Sequence, residues 1–306
     1  MIPAAFEYRA PRTVEEALAL LAKHREEARV LTGGHGLIPA LKLRQETPAL
    51  VVDLRRIPGL GDVEPLDPAP PSPRAAPPDP FCGGPGRSGG LRIGALVTHR
   101  ALAEAPTVRS RCPVLAEVAA LIGDPQVRSV GTLVGSICHG DPAADYPAVL
   151  LALGARVLIA SPRGERLAEV AEFIQGPFET ALEPDELVLA VEVDRSAPAS
   201  SAYYKVRRSA SGFALAAAAA VVEIEGERIR SCAIGVTGVT TRPFRAHAVE
   251  ERLVGALCAH GFPEAAARGA SDGQSVLDDL HASAEYRAHL AEVCIRRAVE
   301  KALSRR

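Results

Sequence analysis

The sequence predicts an α+β protein with a larger N-terminal domain and a smaller C-terminal domain that combines an antiparallel sheet with helices. Helices and apolar strands alternate in the first part of the chain, as they do in α/β units. From about residue 200 the pattern changes to longer strand runs with a hairpin turn at 225–227. A stretch rich in serine, alanine and proline at 195–201 separates the two patterns. We therefore predict domains at 1–197 and 198–306.

The composition narrows the class of protein. The chain has 306 residues, 47% hydrophobic and 24% charged, which is typical of folded globular proteins. We find neither a run long enough to span a membrane nor a signal-peptide layout, and the formal net charge of −2 argues against nucleic acid as a partner. The six cysteines include no C-x-x-C pair, so we expect no metal site on this chain and buried free thiols in the cytoplasm.

The N-terminal elements follow from local signals. Thr13 and Glu16 form a capping box that opens a helix. Residues 28–31 predict a short strand that ends at a glycine-rich loop, 33–36, and 37–43 predict a second helix. Residues 50–54 predict another buried strand. The succession of helix, strand, glycine loop, helix and strand is an α/β pattern.

A proline-rich insertion interrupts this pattern at about 64–90. Eight of the sixteen residues from 65 to 80 are proline, and proline supplies no amide for regular pairing. We predict an extended surface insertion there and assign it no function. Its single cysteine, Cys82, is too few for an iron–sulfur cluster.

The remaining elements are predicted from apolar periodicity and turn residues. A second small-residue loop is expected at 130–136, and Asp145 is expected to cap a helix that runs to Leu153. The alanine run 216–220 is ambiguous between helix and strand. The other predicted strands are 91–95, 156–160, 187–193, 203–206 and the two arms of a hairpin within 221–236, and the other predicted helices begin at about 101 or cover 114–122, 246–258 and 284–303.

The two glycine-rich loops, each of which is expected to follow an apolar strand, are the most informative feature. Backbone amides that no side chain covers can converge on an anion, and glycine lets the chain approach a phosphate closely. Two such loops from separate parts of a fold would suit a pyrophosphate. Neither loop matches G-x-G-x-x-G or G-x-x-x-x-G-K-[ST], so the sequence does not support a Rossmann or P-loop site.

Longer segments around these loops resemble a known family. They read LTGGHGLIPALKLR at 31–44, GDPQVR at 123–128 with 132–145, YKVRR at 204–208 with FA at 213–214, and ASAEYR at 282–287. These segments resemble the FAD-binding medium subunits of molybdenum hydroxylases, which include aerobic carbon monoxide dehydrogenase and xanthine dehydrogenase. The resemblance covers nearly the whole chain outside the insertion.

The resemblance implies a fold, a cofactor and partners. The fold is a two-part FAD-binding domain of the vanillyl-alcohol-oxidase or PCMH type, followed by a C-terminal domain like that of the CO dehydrogenase flavoprotein. The cofactor is non-covalently bound FAD. The partners are a small subunit with 2Fe–2S clusters and a large subunit with the molybdenum cofactor, in a dimer of heterotrimers. In such a complex this chain is an oxidoreductase subunit that passes electrons from the clusters to an external acceptor.

The resemblance also implies which residues bind FAD, and it implies no catalytic acid or base. Backbone amides of the two loops would hold the pyrophosphate. Asp145 would fix the ribityl or ribose hydroxyls, Val188 would lie near the adenine, and Lys205 would lie near the cofactor. The loop positions are Thr32, Gly33, Gly34, His35, Gly36, Leu37, Thr132, Leu133, Val134, Gly135 and Ser136. His35 is expected to form no covalent bond, and His99 and His139 are expected in turns or at the surface. Tyr203 or Tyr204 either stacks by the flavin or packs in the core.

Three departures from the family pattern leave an alternative open. Gly36 stands where the family commonly has serine, and Gly212 where it often has aspartate. Val134 replaces a glycine of the second loop, and a β-branched residue would be strained there if the position required a positive φ. The alternative is a structural subunit of the same kind of complex that binds flavin weakly or not at all. A stand-alone flavin reductase is less favoured, because the sequence offers no substrate acid or base.

Overall fold

The structure is a computed structural model that describes residues 2–66, 89–193, 200–258 and 264–305. Most of the proline-rich insertion, including Cys82, and the predicted domain boundary lie outside these ranges. One part of the insertion prediction is wrong, because Pro65 belongs to a strand and pairs with Leu91. That strand lies at a sheet edge, where a missing amide is tolerated.

The first part of the N-terminal domain forms a small parallel sheet. Strands β1 (Glu7–Arg9), β3 (Leu50–Asp53) and β2 (Ala28–Leu31) pair in that order. Helix α1 (Val14–His24) precedes β2, and the Thr13 hydroxyl accepts a hydrogen bond from the Glu16 amide, as the capping box predicts. Helix α2 (Leu37–Leu43) connects β2 to β3. Of the strands and α-helices in this first part, only β1 was not predicted. Its three residues are all exposed and show no apolar pattern.

The second part of this domain is a five-stranded antiparallel sheet with helices. Its order is β4 (Val63–Leu66), β5 (Gly90–Gly94), β10 (Leu187–Val193), β6 (Arg156–Ser161) and β7 (Gly164–Glu169). Between β5 and β6 the chain forms helices α3 (His99–Glu104), α4 (Pro106–Arg111), α5 (Pro113–Leu121), α6 (Pro125–Val130), α7 (Leu133–His139) and α8 (Tyr146–Leu153). Helix α9 (Val170–Phe173) and the hairpin of β8 (Ile174–Gly176) and β9 (Glu179–Thr180) follow β7.

The C-terminal domain is a four-stranded antiparallel sheet covered by a long helix. Its order is β11 (Ser201–Arg207), β12 (Ala214–Glu225), β13 (Arg228–Thr237) and β14 (Phe244–Arg245). The ambiguous alanine run lies in β12, because its position between β11 and β13 outweighs the helix preference of alanine. Helix α10 (His247–Leu253) ends earlier than predicted, before a turn at Gly255 with φ +83°. Helix α11 (Ala284–Leu303) matches its prediction.

The alanines of β12 join the two domains. Ala216, Ala218 and Ala220 face the core beneath α11. Ala217 and Ala219 face the core of the N-terminal domain. Because alternate residues of a strand point to opposite faces, the sheet is packed on both sides. Because the alanine side chains are small, α11 can approach one face of the sheet closely and α8 can approach the other.

The structure also bears on membranes and thiols. Within the described ranges, no helix is long and apolar enough to cross a membrane. Cys232, Cys258 and Cys294 are buried free thiols, and Cys138 is a free thiol that is half-buried. For these four residues, the expectation of free thiols is confirmed.

Candidate functional site

The first glycine-rich loop, residues 32–36, connects the end of β2 to the start of α2. Among the described residues, none accepts a hydrogen bond from the backbone amides of 33–37. Gly34 adopts φ +77°, a conformation that L side chains rarely adopt. The loop therefore presents a run of unpaired amides beside the first turn of a helix, an arrangement that attracts anions.

The second loop, residues 130–136, differs from its prediction. It follows helix α6 rather than an apolar strand, and most of it is the first turn of α7. Thr132 is the N-cap, and its hydroxyl accepts a hydrogen bond from the Gly135 amide at 3.0 Å. The amide of Val134 has no acceptor within the described part of the chain. The small residues therefore begin a helix, with Leu133, Val134 and Ile137 facing the core.

The two loops are in direct contact. The hydroxyl oxygens of Thr32 and Thr132 are 3.2 Å apart. A Cβ on Gly33 would lie 2.8 Å from the Cα of Gly131, and it would lie still closer to the carbonyl oxygen of Val130. A Cβ on Gly135 would lie 2.8 Å from both threonine hydroxyls. The structure thus brings together the loops that the sequence singled out, although about a hundred residues separate them.

The expected strain at Val134 is absent. Val134 lies inside α7 and is not among the described residues with positive φ. Its side chain is 2% exposed and packs in the core of the N-terminal domain. Position 134 does not require a positive φ, because it is helical, and a helical backbone accepts valine.

Asp145 forms a buried ion pair with Lys205 across the two domains. The Lys205 Nζ lies 3.0 Å from Asp145 Oδ1 and donates to Oδ2 at 3.1 Å. The Tyr203 hydroxyl donates to Oδ1 at 2.5 Å, and Lys205 also donates to the Gly212 carbonyl. Burial raises the pKa of Asp145, and Lys205 and Tyr203 partly offset that effect.

These contacts correct the capping prediction for Asp145 and favour core packing for the two tyrosines. Asp145 does precede α8, but its side chain makes no capping hydrogen bond because it turns towards Tyr203 and Lys205. Tyr203 is fully buried, so it cannot stack on a flavin, and Tyr204 packs against the C-terminal core. Roles for Asp145 and Lys205 at the cofactor stay predictions.

Val188 lies near the start of β10 and is 3% exposed. Its side chain belongs to the core of the N-terminal domain. The register of β10 against β6 shifts between Val188 and Ala190, which marks a local irregularity in the sheet. Any contact of Val188 with a ligand would therefore be made by its backbone, and that contact stays a prediction.

His99 is buried behind the second loop, not at the surface as predicted. Its amide donates to the Gly131 carbonyl, and its Nδ1 lies 2.9 Å from the Tyr146 hydroxyl. The pKa of His99 is lowered to about 4, mainly by burial and to a smaller extent by the neighbouring His35 and Arg128. No local pattern predicts this burial, because an isolated histidine at the start of a helix is usually solvated.

Sequence reasoning did not identify Phe178 as a site residue. It lies in the turn between β8 and β9, adopts φ +59° and is 63% exposed. Its ring makes an edge contact with His139, with ring centroids 5.1 Å apart. The His139 ring in turn lies beside Gly36 of the first loop. Only a Gly-Pro-Phe turn marks this residue in the sequence, and that pattern does not indicate where the turn lies in space.

Known proteins match this chain along its whole length. The family described as the FAD binding domain in molybdopterin dehydrogenase matches residues 4–67 and 86–195, and the CO dehydrogenase flavoprotein C-terminal domain matches 201–302. The chain belongs to the FAD-binding medium subunits of molybdenum hydroxylases.

Three relatives illustrate the match to these medium subunits. The carbon monoxide dehydrogenase medium chain of Afipia carboxidovorans is 36% identical over 100% of this chain and 99% of its own. The 6-hydroxypseudooxynicotine dehydrogenase complex subunit alpha of Paenarthrobacter nicotinovorans is 32% identical over 100% and 97%. A crystal structure of the cyanide-inactivated Cu,Mo-CO dehydrogenase superposes with a TM-score of 0.88 at 34% identity, covering 100% of both chains. The fold predicted from the resemblance is confirmed.

The loops of this medium subunit fit an FAD pyrophosphate. The amides of 33–37 and of Val134 are hydrogen-bond donors that have no acceptor among the described residues. Gly33 and Gly135 keep the two loops close enough to act on one ligand. The departure at Gly212 is also accommodated, because this residue adopts φ +76° in a turn, where aspartate would be strained.

The buried His99 makes the stability of this medium subunit depend on pH. The pKa of His99 is lowered from 6.5 to about 4 in the folded protein, so the unfolded chain takes up a proton first as the pH falls. We expect His99 to remove up to about 3 kcal/mol from the free energy of unfolding as the pH drops through this window. Urea unfolding at a series of pH values measures the effect, and His99→Asn should flatten the profile. A variant with the wild-type pH profile would contradict this prediction.

Proposed function

We propose that this chain binds FAD and transfers electrons from the 2Fe–2S clusters of a small partner subunit to an external acceptor. A large partner subunit would carry the molybdenum cofactor, in a cytoplasmic dimer of heterotrimers. The observation that carries the proposal is the contact between two loops, the first with unpaired amides at 33–37 and the second with the unpaired amide of Val134. A flavin accepts electrons singly and can deliver two to an acceptor, which is the chemistry that the cofactor supplies once bound.

In this proposal the protein binds and positions the cofactor. The amides of 33–37 and the first turn of α7 would hold the pyrophosphate, with Thr32 and Thr132 holding the loops together. Lys205 would lie near the cofactor, and the backbone at Val188 would lie by the adenine. We place the boundary between the FAD-binding domain and the C-terminal domain at 197/198, supported by family matches that end at 195 and begin again at 201.

Purification of the tagged full chain from the organism that makes it tests the proposed function. We expect two further subunits to co-purify, with iron and molybdenum detected by metal analysis. We also expect a visible flavin spectrum, with the flavin released by acid precipitation because it is not covalently bound. A preparation without flavin, both before and after incubation with FAD, would exclude the proposed function.

Val134→Gly separates this function from that of a flavin-free structural subunit. Because Val134 is buried and helical, we expect the substitution to lower the free energy of unfolding by about 2–3 kcal/mol. We expect it to leave FAD affinity no tighter than in the wild type. If the glycine variant bound FAD and the wild-type chain did not, the structural-subunit alternative would be correct.

A further inference from the structure

The position of Gly36 is constrained by a neighbouring side chain rather than by its own backbone. Gly36 has φ −85° and ψ −53°, a helical conformation that any residue adopts. A Cβ at this position would lie 3.1 Å from both Cε1 and Nδ1 of His139. That is closer than ordinary van der Waals contact between carbon atoms. The space beside residue 36 is therefore filled by the His139 imidazole.

Two elements place the His139 ring there. His139 is the last residue of α7, the helix whose first turn lies in the second loop. On its other side the ring rests on the edge of Phe178, whose amide donates to the Gly140 carbonyl at 2.8 Å. The residue is exposed, and among the described residues none is hydrogen-bonded to its ring nitrogens. The imidazole thus lies beside the first loop with free hydrogen-bonding atoms.

We propose that His139 contacts the bound flavin cofactor, with its imidazole in the place that a side chain on residue 36 would otherwise occupy. The proposal rests on the proposed function, because the ligand is FAD. A polar ring with free nitrogens at the end of a loop of unpaired amides supplies a hydrogen-bonding group that Gly36 cannot. His139 is therefore a binding residue of the site, placed by Gly36 on one side and Phe178 on the other.

Chemical labelling of the full chain tests whether FAD covers His139. Diethyl pyrocarbonate modifies exposed imidazoles, and peptide mass spectrometry locates each modified histidine. We expect saturating FAD to slow labelling of His139 at least about fivefold, since ligand sites bury most of the ligand surface. His281 is exposed and lies in the C-terminal domain, outside the two loops, so it should label at the same rate with and without FAD.

The labelling result separates this inference from the proposed function. The flavin absorbance of the same sample, after removal of free FAD, reports whether cofactor is bound. Bound FAD with unprotected His139 would overturn the role of His139 alone. Absence of bound FAD would overturn the proposed function instead.

A double-mutant cycle tests the exchange between residues 36 and 139. We expect Gly36→Ser to weaken FAD binding about tenfold, because its Cβ and hydroxyl displace the imidazole. His139→Asn removes the ring, and Gly36→Ser in that background should then restore binding. FAD affinity is measured by quenching of FAD fluorescence on binding to the full chain. Additive effects, or tighter binding in Gly36→Ser with His139 intact, would show that the two positions are independent.

Discussion

Replacing Gly33 with alanine is expected to weaken FAD binding at least about a hundredfold, which corresponds to roughly 2.7 kcal/mol. The Cβ of alanine would lie 2.8 Å from the Cα of Gly131 and closer still to the carbonyl oxygen of Val130. Both neighbours are backbone atoms, so no side-chain rotation can relieve the contact. The first and second loops would have to move apart, and their amides could no longer donate hydrogen bonds to the same pyrophosphate.

Gly61→Ala is the matched control. Gly61 has no atom within 4 Å of its Cβ position, and it does not have a positive φ. The same substitution there should leave FAD affinity unchanged. Fluorescence titration of both full-length variants gives the comparison, and thermal unfolding shows whether Gly33→Ala still folds. Overpacking of this kind costs about 1–3 kcal/mol of stability, which a folded domain can tolerate. Equal FAD affinities for the two variants would mean that the loop contact does not position the cofactor.

The first loop was predictable because all of its signals are local. A short apolar strand ends at Leu31, two adjacent glycines follow, and an apolar helix begins at Leu37. The second loop has similar residues but a different structure, since Thr132 caps a helix that the small residues then enter. Glycine and serine are compatible with both states. Helix capping by a threonine three residues before Gly135 was the signal that could have distinguished them.

Contacts between distant segments could not be read from the sequence. Asp145 and Lys205 are sixty residues apart, and no periodicity predicts that their side chains meet. The same holds for His139 and Phe178, which two different elements bring beside Gly36. These pairings depend on how helices and sheets pack, whereas the strands, helices and caps depend mainly on residues within a few positions of one another.

The Asp145–Lys205 ion pair carries the other large expected effect. The side chains of Lys205 and Asp145 are 5% and 7% exposed, so neither charge is well hydrated. A buried pair that loses one partner leaves an uncompensated charge, which costs about 3–5 kcal/mol. Because Asp145 belongs to the N-terminal domain and Lys205 to β11, the loss also loosens the contact between the domains.

We therefore expect Lys205→Met to lower the free energy of unfolding by about 3–5 kcal/mol at neutral pH. Without Lys205, the pKa of Asp145, already raised by burial, rises further. The folded state then holds a proton that the unfolded state releases, so the lost stability should return in part as the pH falls. Urea unfolding at several pH values measures this recovery of stability. Lys23→Met, at an exposed site, is the control and should change the free energy of unfolding by no more than about 0.5 kcal/mol. Asp145→Asn in the Lys205→Met background should recover part of the loss, because it removes the unpaired charge. If the double variant were less stable than Lys205→Met at neutral pH, the cost would come from lost packing rather than from the buried charge.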